Sequence, residues 1–266
     1  MKAGIGSYAF RWAIGTPDWR PKTPMDAFSF IETSADLDAD TVQICDNLSL
    51  DSCTKDELNK LQKLAADRNI EIEIGFAGLN PASLKSNLNI CKLLHSQILR
   101  VVVNRESKAL SLGDLKVLLE ANVPLLEADG VTLCIENHFT YTPLELRKIV
   151  DELNHPNIAI CYDPLNSISH FSGVWETLNA LKAKIRTAHI KNAGIERLGT
   201  GFRINGTSLE EGNLDIPSIV DSLKSLSPQP NIYIETWMDR LEDEPSTLER
   251  ELEWNCASIN YLKPLL

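Results

Sequence analysis

The sequence predicts an α/β protein that folds as a single (β/α)₈ barrel over residues 1–266. Eight short apolar runs, rich in β-branched residues, are typical of strands that are buried on both faces. They begin at Ala3, Thr41, Ile70, Ile98, Val131, Ile158, Ile185 and Ile232. Segments with helical periodicity lie between them, and no linker-like stretch divides the chain. A doubly wound open sheet shares this alternation, but the count of eight favours a closed barrel.

Start signals support the helices of this pattern. In "TKDELNKLQKLAAD", Thr54 and Glu57 have the spacing of a capping box, and the apolar residues that follow share one face. "TPLELRKIVDEL" repeats the device with Thr142 and Glu145, and it has proline at the first helical position. Pro124 predicts a kink or a break in the fourth helix, because proline lacks an N–H and clashes with the preceding turn.

The charge balance is acidic, with 26 Lys and Arg against 37 Asp and Glu and a formal net charge of −11. Such a field repels nucleic acid and anionic membranes, so we expect neither as a partner. The sequence shows no apolar run long enough to span a bilayer and no signal-peptide pattern. Its six cysteines are scattered without CxxC pairing, which is typical of a reducing compartment. We therefore expect a cytoplasmic protein, and association into a homo-oligomer stays open.

Polar residues end four of the predicted strands in the second half of the chain. Because catalytic groups of a (β/α)₈ barrel collect at the C-terminal strand ends, we expect these side chains at one mouth. They are Glu136, Asp163, His189 and Glu235. Three carboxylates and one imidazole suit Mn²⁺, Mg²⁺ or Co²⁺, and Zn²⁺ is a further candidate because it binds more tightly than Mn²⁺. Each of these residues alone is typical of a loop or capping group. Their joint placement predicts a site for one divalent cation.

Five segments resemble motifs of a known family. The segments "IENH", "CYDPLNS", "AHIKN", "LEEGNLDIPSIVDSL" and "IYIET" resemble the xylose isomerase-like (AP endonuclease family 2) TIM barrels, in particular the sugar phosphate isomerase/epimerase group. The resemblance extends from the first strand to the eighth. It implies that Glu136, Asp163, His189 and Glu235 are the metal ligands, and that the two glutamates are also the catalytic acid/base pair. Some members carry a second histidine where this chain has Asn166.

The predicted chemistry is isomerisation or epimerisation of a carbohydrate, sugar phosphate or polyol. A divalent cation polarises a carbonyl and stabilises the enediolate that forms when a neighbouring proton is lost. Glu136 and Glu235 come from different strands, so they can remove and return that proton on different faces. A dehydratase of the inosose or 3-dehydroshikimate type is an alternative that the resemblance also implies. A non-catalytic barrel that binds a metabolite is the alternative from another class.

Further residues at the predicted strand ends are candidates for substrate binding. They are Tyr8, Asn47, His138, Asn166, Lys191 and Trp237. His138 either contacts substrate or orients a ligand glutamate, and Lys191 either binds a substrate oxygen or pairs with such a glutamate. Asn47 is either a hydroxyl ligand or a turn residue. Tyr8 and Trp237 either wall the pocket or belong to the core.

Overall fold

The computed structural model describes residues 1–104 and 110–266, and its main feature is a closed barrel of eight parallel strands. The strands are β1 (Ala3–Gly6), β2 (Thr41–Ile44), β3 (Glu71–Ala77), β4 (Ile98–Val102), β5 (Thr132–Glu136), β6 (Ile158–Tyr162), β7 (Ile185–Ile190), β8 (Asn192–Leu198), β9 (Gly201–Thr207) and β10 (Asn231–Ile234). The barrel order is β1-β10-β7-β6-β5-β4-β3-β2, and β1 pairs with both β10 and β2 to close it. The predicted barrel is confirmed, and the open sheet is excluded.

Helices cover the outside of the barrel. They are α1 (Arg11–Ile14), α2 (Ala27–Asp36), α3 (Lys55–Asp67), α4 (Pro81–Leu94), α5 (Leu112–Asp129), α6 (Pro143–Leu153), α7 (Val174–Leu181), α8 (Ile216–Lys224) and α9 (Glu244–Leu262). Both predicted capping boxes are present, Thr54 with Glu57 at α3 and Thr142 with Glu145 at α6. Across residues 1–104 and 110–266, the structure has no helix that is long and apolar enough to cross a membrane.

Pro124 lies inside α5 and does not divide it, so the predicted break is wrong. Proline removes one backbone hydrogen bond and costs about 3 kcal/mol in a helix interior. Leu119 and Leu126 flank Pro124, and both are buried in the hydrophobic core. Their packing against the barrel offsets the lost hydrogen bond, which is why the helix continues.

Strands β8 and β9 form an antiparallel hairpin that the sequence analysis did not predict. The hairpin follows β7, and Gly199 and Thr200 make its two-residue turn. Its base approaches the barrel so closely that a Cβ at Gly206 would lie 2.2 Å from the carbonyl oxygen of Trp237. Only glycine therefore permits this packing, which holds the chain that follows β10 in place.

Polar side chains fill part of the barrel interior. Gln43 on β2 contacts Thr187 on β7, although these strands are not neighbours, so both side chains point inward. Glu73 and Arg100 are also buried. Gly75 makes room for this interior, because a Cβ there would lie 3.1 Å from Cδ of Arg100. A barrel interior with this many polar groups needs a hydrogen-bond partner for each of them.

Candidate active site

The four predicted metal ligands lie together at the C-terminal mouth of the barrel. Glu136 is the last residue of β5, and His189 lies near the end of β7. Asp163 and Glu235 directly follow β6 and β10. Because these four strands are consecutive around the barrel, their ends bring the side chains to one point. All four residues are buried.

Atom Nδ1 of His189 is the centre of this cluster. It lies 3.4 Å from Oε1 of Glu235, 3.6 Å from Oε2 of Glu136 and 3.8 Å from Oδ2 of Asp163. Within residues 1–104 and 110–266, neither His189 Nδ1 nor Glu235 Oε1 has a hydrogen-bond partner. Buried polar atoms without a partner are rare. Donor atoms at these separations match a shared ion with bonds of about 2.0–2.4 Å. The residues therefore fit a divalent cation.

Backbone contacts orient Asp163 toward the cluster. Its Oδ1 accepts hydrogen bonds from the backbone N–H groups of Leu165 and Asn166, at 2.8 and 2.9 Å. The Asn137 amide holds the Asp163 backbone through two further hydrogen bonds of 2.8 Å. Since Oδ1 is engaged by the backbone, Oδ2 is the oxygen that faces His189. Asn137, directly after Glu136, thus links the ends of β5 and β6.

Two buried cations neutralise much of the carboxylate charge. Lys191 Nζ lies 2.8 Å from Oδ2 of Asp163 and 2.9 Å from Oε2 of Glu235. Arg100 donates from Nε to Glu136, and its Nη1 lies 3.2 Å from Oδ1 of Asp46. Lys191 therefore pairs with two of the predicted ligands, which was one of its two sequence alternatives.

These pairs set the protonation of the carboxylates. Burial opposes ionisation of Glu235, but His189, Lys191 and Arg100 outweigh it and lower its pKa to about 2. The pKa of Glu136 also lies below its usual value, because Arg100 outweighs the effect of burial. For Lys191, burial acts to lower the pKa, and the carboxylates of Asp163 and Glu235 raise it well above normal. The carboxylates are thus held ionised and Lys191 is held charged.

A cavity of about 310 Å³ adjoins the cluster, and Glu136 and Glu235 are among the residues that line it. Five of the six predicted substrate-binding residues line this cavity: Tyr8, His138, Asn166, Lys191 and Trp237. Asn166 donates from Nδ2 to Glu136 at 2.7 Å, and Tyr8 donates from its hydroxyl to Asp46 at 3.0 Å. Burial lowers the pKa of His138, so its imidazole is neutral near pH 7.

Asn47 is placed differently from the other predicted binders. Its Nδ2 donates to the carbonyl oxygen of Ser7 at 3.0 Å, and its Oδ1 accepts from the Ser7 hydroxyl. Asn47 is not one of the described residues that line the 310 Å³ cavity. Its amide instead joins the loops that follow β1 and β2, in agreement with the alternative that it is a turn residue.

Sequence reasoning missed Arg100, Asp46 and Gln43. Gln43 Oε1 lies 2.7 Å from His189 Nε2, and Arg100 and Asp46 form the ion pairs described above. A signal was present for two of them: Gln43 and Arg100 are long polar residues inside largely apolar strands, where they require a buried partner. Which partner each one meets depends on the barrel closure, which spacing along the chain does not specify.

Known proteins resemble this chain over nearly its full length. It is 25% identical over 264 residues to 3-oxo-isoapionate decarboxylase of Pectobacterium atrosepticum, covering 98% of this chain and 95% of that protein. Its fold matches D-psicose 3-epimerase of Clostridium cellulolyticum H10, solved with D-tagatose, with a TM-score of 0.74, 16% identity and coverage of 100% and 99% of the two chains. It also matches the IOLI protein, solved with a bound zinc atom, with a TM-score of 0.72, 14% identity and coverage of 100% and 99%.

A family model supports the same relationship. The model described as "Xylose isomerase-like TIM barrel" matches residues 31–257. This range contains all four clustered side chains, every barrel strand except β1, and the hairpin. The chain therefore belongs to the xylose isomerase-like TIM barrel family.

Proposed function

We propose that this protein is a divalent-metal-dependent isomerase or epimerase that acts on a small carbohydrate or carbohydrate derivative. The observation that carries the proposal is the convergence of three carboxylate oxygens on Nδ1 of His189 at 3.4–3.8 Å. In this proposal Glu136, Asp163, His189 and Glu235 hold the cation. When bound, a divalent cation would polarise a substrate carbonyl and stabilise the charge that develops on its oxygen.

The glutamates are the proposed acid/base pair. Glu136 and Glu235 extend from β5 and β10, on either side of Asp163 and His189, so they face a bound substrate from different directions. Arg100 and Lys191 keep both carboxylates ionised and therefore able to accept a proton. Ionisation has a cost, because a carboxylate of low pKa is a weak base. The substrate C–H must therefore be strongly acidified before either glutamate removes its proton.

The cavity supports a polar substrate of modest size. Its volume of about 310 Å³ is at the lower end of the usual range for small-molecule sites. Tyr8 and neutral His138 offer groups that bind hydroxyls, and Trp237 offers an aromatic wall. The donor set is oxygen-rich, which supports Mn²⁺, Co²⁺ or Mg²⁺. Cys161 lies within 4.8 Å of the donor atoms of Glu136 and His189, and a nearby thiol supports Zn²⁺ as a fourth choice.

Decarboxylation of a sugar acid is the second candidate, and two observations favour it. The relative from Pectobacterium atrosepticum, matched over 98% of this chain, is a decarboxylase. In addition, loss of CO₂ beside a polarised carbonyl requires no general base, so the low pKa of Glu235 is no obstacle to it. The resulting enediolate is the same type of intermediate, and it then needs only a proton donor. Arg11, which also lines the cavity, is a candidate partner for the carboxylate of such a substrate.

One NMR experiment tests both candidates. The purified protein is stripped of metal, and Mn²⁺, Co²⁺, Mg²⁺ or Zn²⁺ is added in D₂O with ketoses, sugar phosphates, inososes, 3-dehydroshikimate or 3-oxo sugar acids. Metal-dependent deuterium incorporation with a change of configuration or of carbonyl position supports the isomerase or epimerase. Metal-dependent CO₂ release with deuterium in the product supports the decarboxylase. Absence of metal binding by calorimetry, or identical results when Asp163 is replaced by asparagine, would refute both.

A further inference from the structure

A chain of hydrogen bonds leads from the candidate metal site into the barrel interior. His189 Nε2 lies 2.7 Å from Oε1 of Gln43. The Gln43 Nε2 in turn donates to Oε2 of Glu73 at 3.2 Å, and the Thr187 hydroxyl donates to the same oxygen at 2.7 Å. All four residues are buried, so water does not compete for these contacts. The ring nitrogen of His189 that faces away from the carboxylate cluster is thereby linked to a carboxyl group on β3.

The orientation of the Gln43 amide follows from its neighbours. Oε2 of Glu73 faces Gln43 and Thr187, and Oε1 accepts from Nδ2 of Asn231 at 3.3 Å. Burial raises the pKa of Glu73, and the hydrogen bonds from Thr187 and its other neighbours oppose that rise because they stabilise the ionised form. Against an ionised Glu73, the Gln43 group that faces it is its NH₂, because the amide oxygen would place acceptor against acceptor. Cys45 supports the same orientation, since its thiol donates to Oε1 of Gln43 at 3.3 Å.

The consequence concerns the tautomer of His189. Because Gln43 presents an oxygen, it can only accept, and His189 must carry a proton on Nε2. Without Gln43 the opposite form would be favoured, since Oε1 of Glu235 lies within hydrogen-bond distance of Nδ1 at 3.4 Å, and the negative charges of Glu136 and Asp163 at 3.6 and 3.8 Å also attract a proton there. A proton on Nδ1 would occupy the position that a cation needs.

The geometry points to Gln43 as a positioning residue that holds His189 in the Nε2–H form, oriented in turn by Glu73, so that Nδ1 presents its lone pair to a metal. Metal-binding histidines commonly donate their second N–H to a neighbouring acceptor, and loss of that acceptor costs about 10–100-fold in metal affinity or activity. The role assigned to Gln43 in metal binding rests on the proposed metal site. The tautomer itself is a property of the metal-free protein and is tested without any metal.

The first test is ¹⁵N NMR of histidine-labelled, metal-free protein over a pH series. The chain has five histidines, so the ring signals can be assigned by single substitutions. At the pH plateau where the His189 ring is neutral, we expect Nε2 to be protonated and Nδ1 to be bare. A neutral ring with its proton on Nδ1 would overturn the inference, whatever the protein catalyses.

The second test uses Gln43→Met, which keeps the side-chain length and removes both polar atoms. We expect the proton of the neutral His189 ring to shift toward Nδ1, and Co²⁺ affinity measured by calorimetry to fall about 10–100-fold. Thr41→Val is the matched control, because its hydroxyl lies 2.9 Å from the Tyr233 hydroxyl in the same interior and is not bonded to His189. An unchanged tautomer in Gln43→Met, or equal affinity losses in both variants, would refute the role of Gln43.

A third variant covers the outcome in which Gln43→Met fails to fold. Glu73→Gln keeps the shape of the side chain and one acceptor oxygen, but it no longer requires the Gln43 NH₂ to face it. Relative to the wild type, we expect a rise of the Nδ1–H form and a loss of Co²⁺ affinity, both smaller than the full effect of about 10–100-fold expected for removal of the acceptor. Wild-type values for both measurements would show that Glu73 does not orient Gln43, and would refute that part of the inference.

Discussion

The barrel mouth and the contact between α9 and α1 each bury a glutamate, yet the two glutamates differ in charge. Glu235 at the mouth has a pKa of about 2, whereas Glu251 on α9 has a pKa raised to about 7. Burial opposes ionisation of both. At the mouth, Lys191 and Arg100 are among the groups that outweigh burial, whereas Glu251 receives chiefly two hydrogen bonds, from the backbone N–H groups of Trp12 and Ala13. The charge of a buried carboxylate here is set by its partners.

The two sites also differ in what their glutamates do. Glu235 is held ionised in the lining of the cavity, where a cation and a substrate are proposed to bind. Glu251 fixes the segment after β1, because its two oxygens accept from consecutive N–H groups at 2.7 and 2.8 Å. That segment carries Tyr8 and Arg11 to the cavity wall. The first glutamate is suited to chemistry and the second to positioning.

The largest expected effect is that of Glu235→Gln on turnover. Glutamine keeps the shape and one oxygen donor but cannot accept the substrate proton. Deuterium exchange into the substrate found in the panel should fall roughly 10²–10⁴-fold at saturating metal. Glu249→Gln on the exposed face of α9 is the control and should have wild-type activity. Wild-type exchange in a metal-saturated Glu235→Gln protein would limit Glu235 to metal binding.

Removal of Lys191 should have the next largest effect. Lys191→Met leaves Asp163 and Glu235 buried without their cation, which should cost about 3–5 kcal/mol in the free energy of unfolding of the metal-free protein. Added Co²⁺ should restore part of this loss, because it supplies positive charge to the same carboxylates. Urea unfolding with and without Co²⁺ measures both effects. Lys116→Met, which breaks the more exposed pair with Glu152, should cost about 0–1 kcal/mol. Equal costs for the two variants would contradict the electrostatic account of the mouth.

The third prediction concerns Glu251 and pH. The pKa of Glu251 is raised from 4.5 to about 7 in the folded protein, so the folded state binds its proton more tightly than the unfolded state does. The stability that this proton contributes to the fold is fully present below pH 4.5 and is lost as pH rises through about 7. Between about pH 4.5 and 8, the wild type should lose roughly 3 kcal/mol relative to Glu251→Gln. Urea unfolding at a series of pH values measures this difference. A stability difference that is constant with pH would show that Glu251 titrates normally in the folded protein.

The smallest expected effect lies on the hairpin. Arg203 pairs with Glu196 across β8 and β9, and both side chains are about half exposed. Water screens such pairs, so Arg203→Ala should change the free energy of unfolding by about 0–1 kcal/mol. Thermal unfolding and metal affinity should both stay close to wild type. A loss as large as that of Lys191→Met would mean that the hairpin tip is coupled to the barrel.

The fold could be predicted because its signals are local. Each barrel strand lies in a short run that is largely apolar, and capping boxes mark the starts of α3 and α6. The hairpin was missed, although Gly199 and Thr200 form the kind of two-residue turn that favours hairpins. Its strands are largely exposed, so they lack the apolar run by which the barrel strands were found.

The candidate site could be predicted only in part. Glu136, Asp163, His189 and Glu235 were found because strand ends share one mouth in any (β/α)₈ barrel. Their counter-charges could not be assigned in the same way. Arg100 lies on β4 and contacts Glu136 at the end of the neighbouring strand β5, and that contact depends on strand register and on the space left by Gly75.

The close packing of Gly206 against Trp237 has a consequence for how this protein can be altered. Gly206 at the base of the hairpin tolerates no added Cβ, whereas the turn at Gly199 and Gly201 has open space around each glycine. Phe202 beside that turn is 73% exposed. New peptide can therefore be grafted at the tip, where exposed turns accept insertions, while the cavity wall stays fixed by the base. The hairpin tip is thus a site where labels or fused domains can be attached at a distance from the barrel.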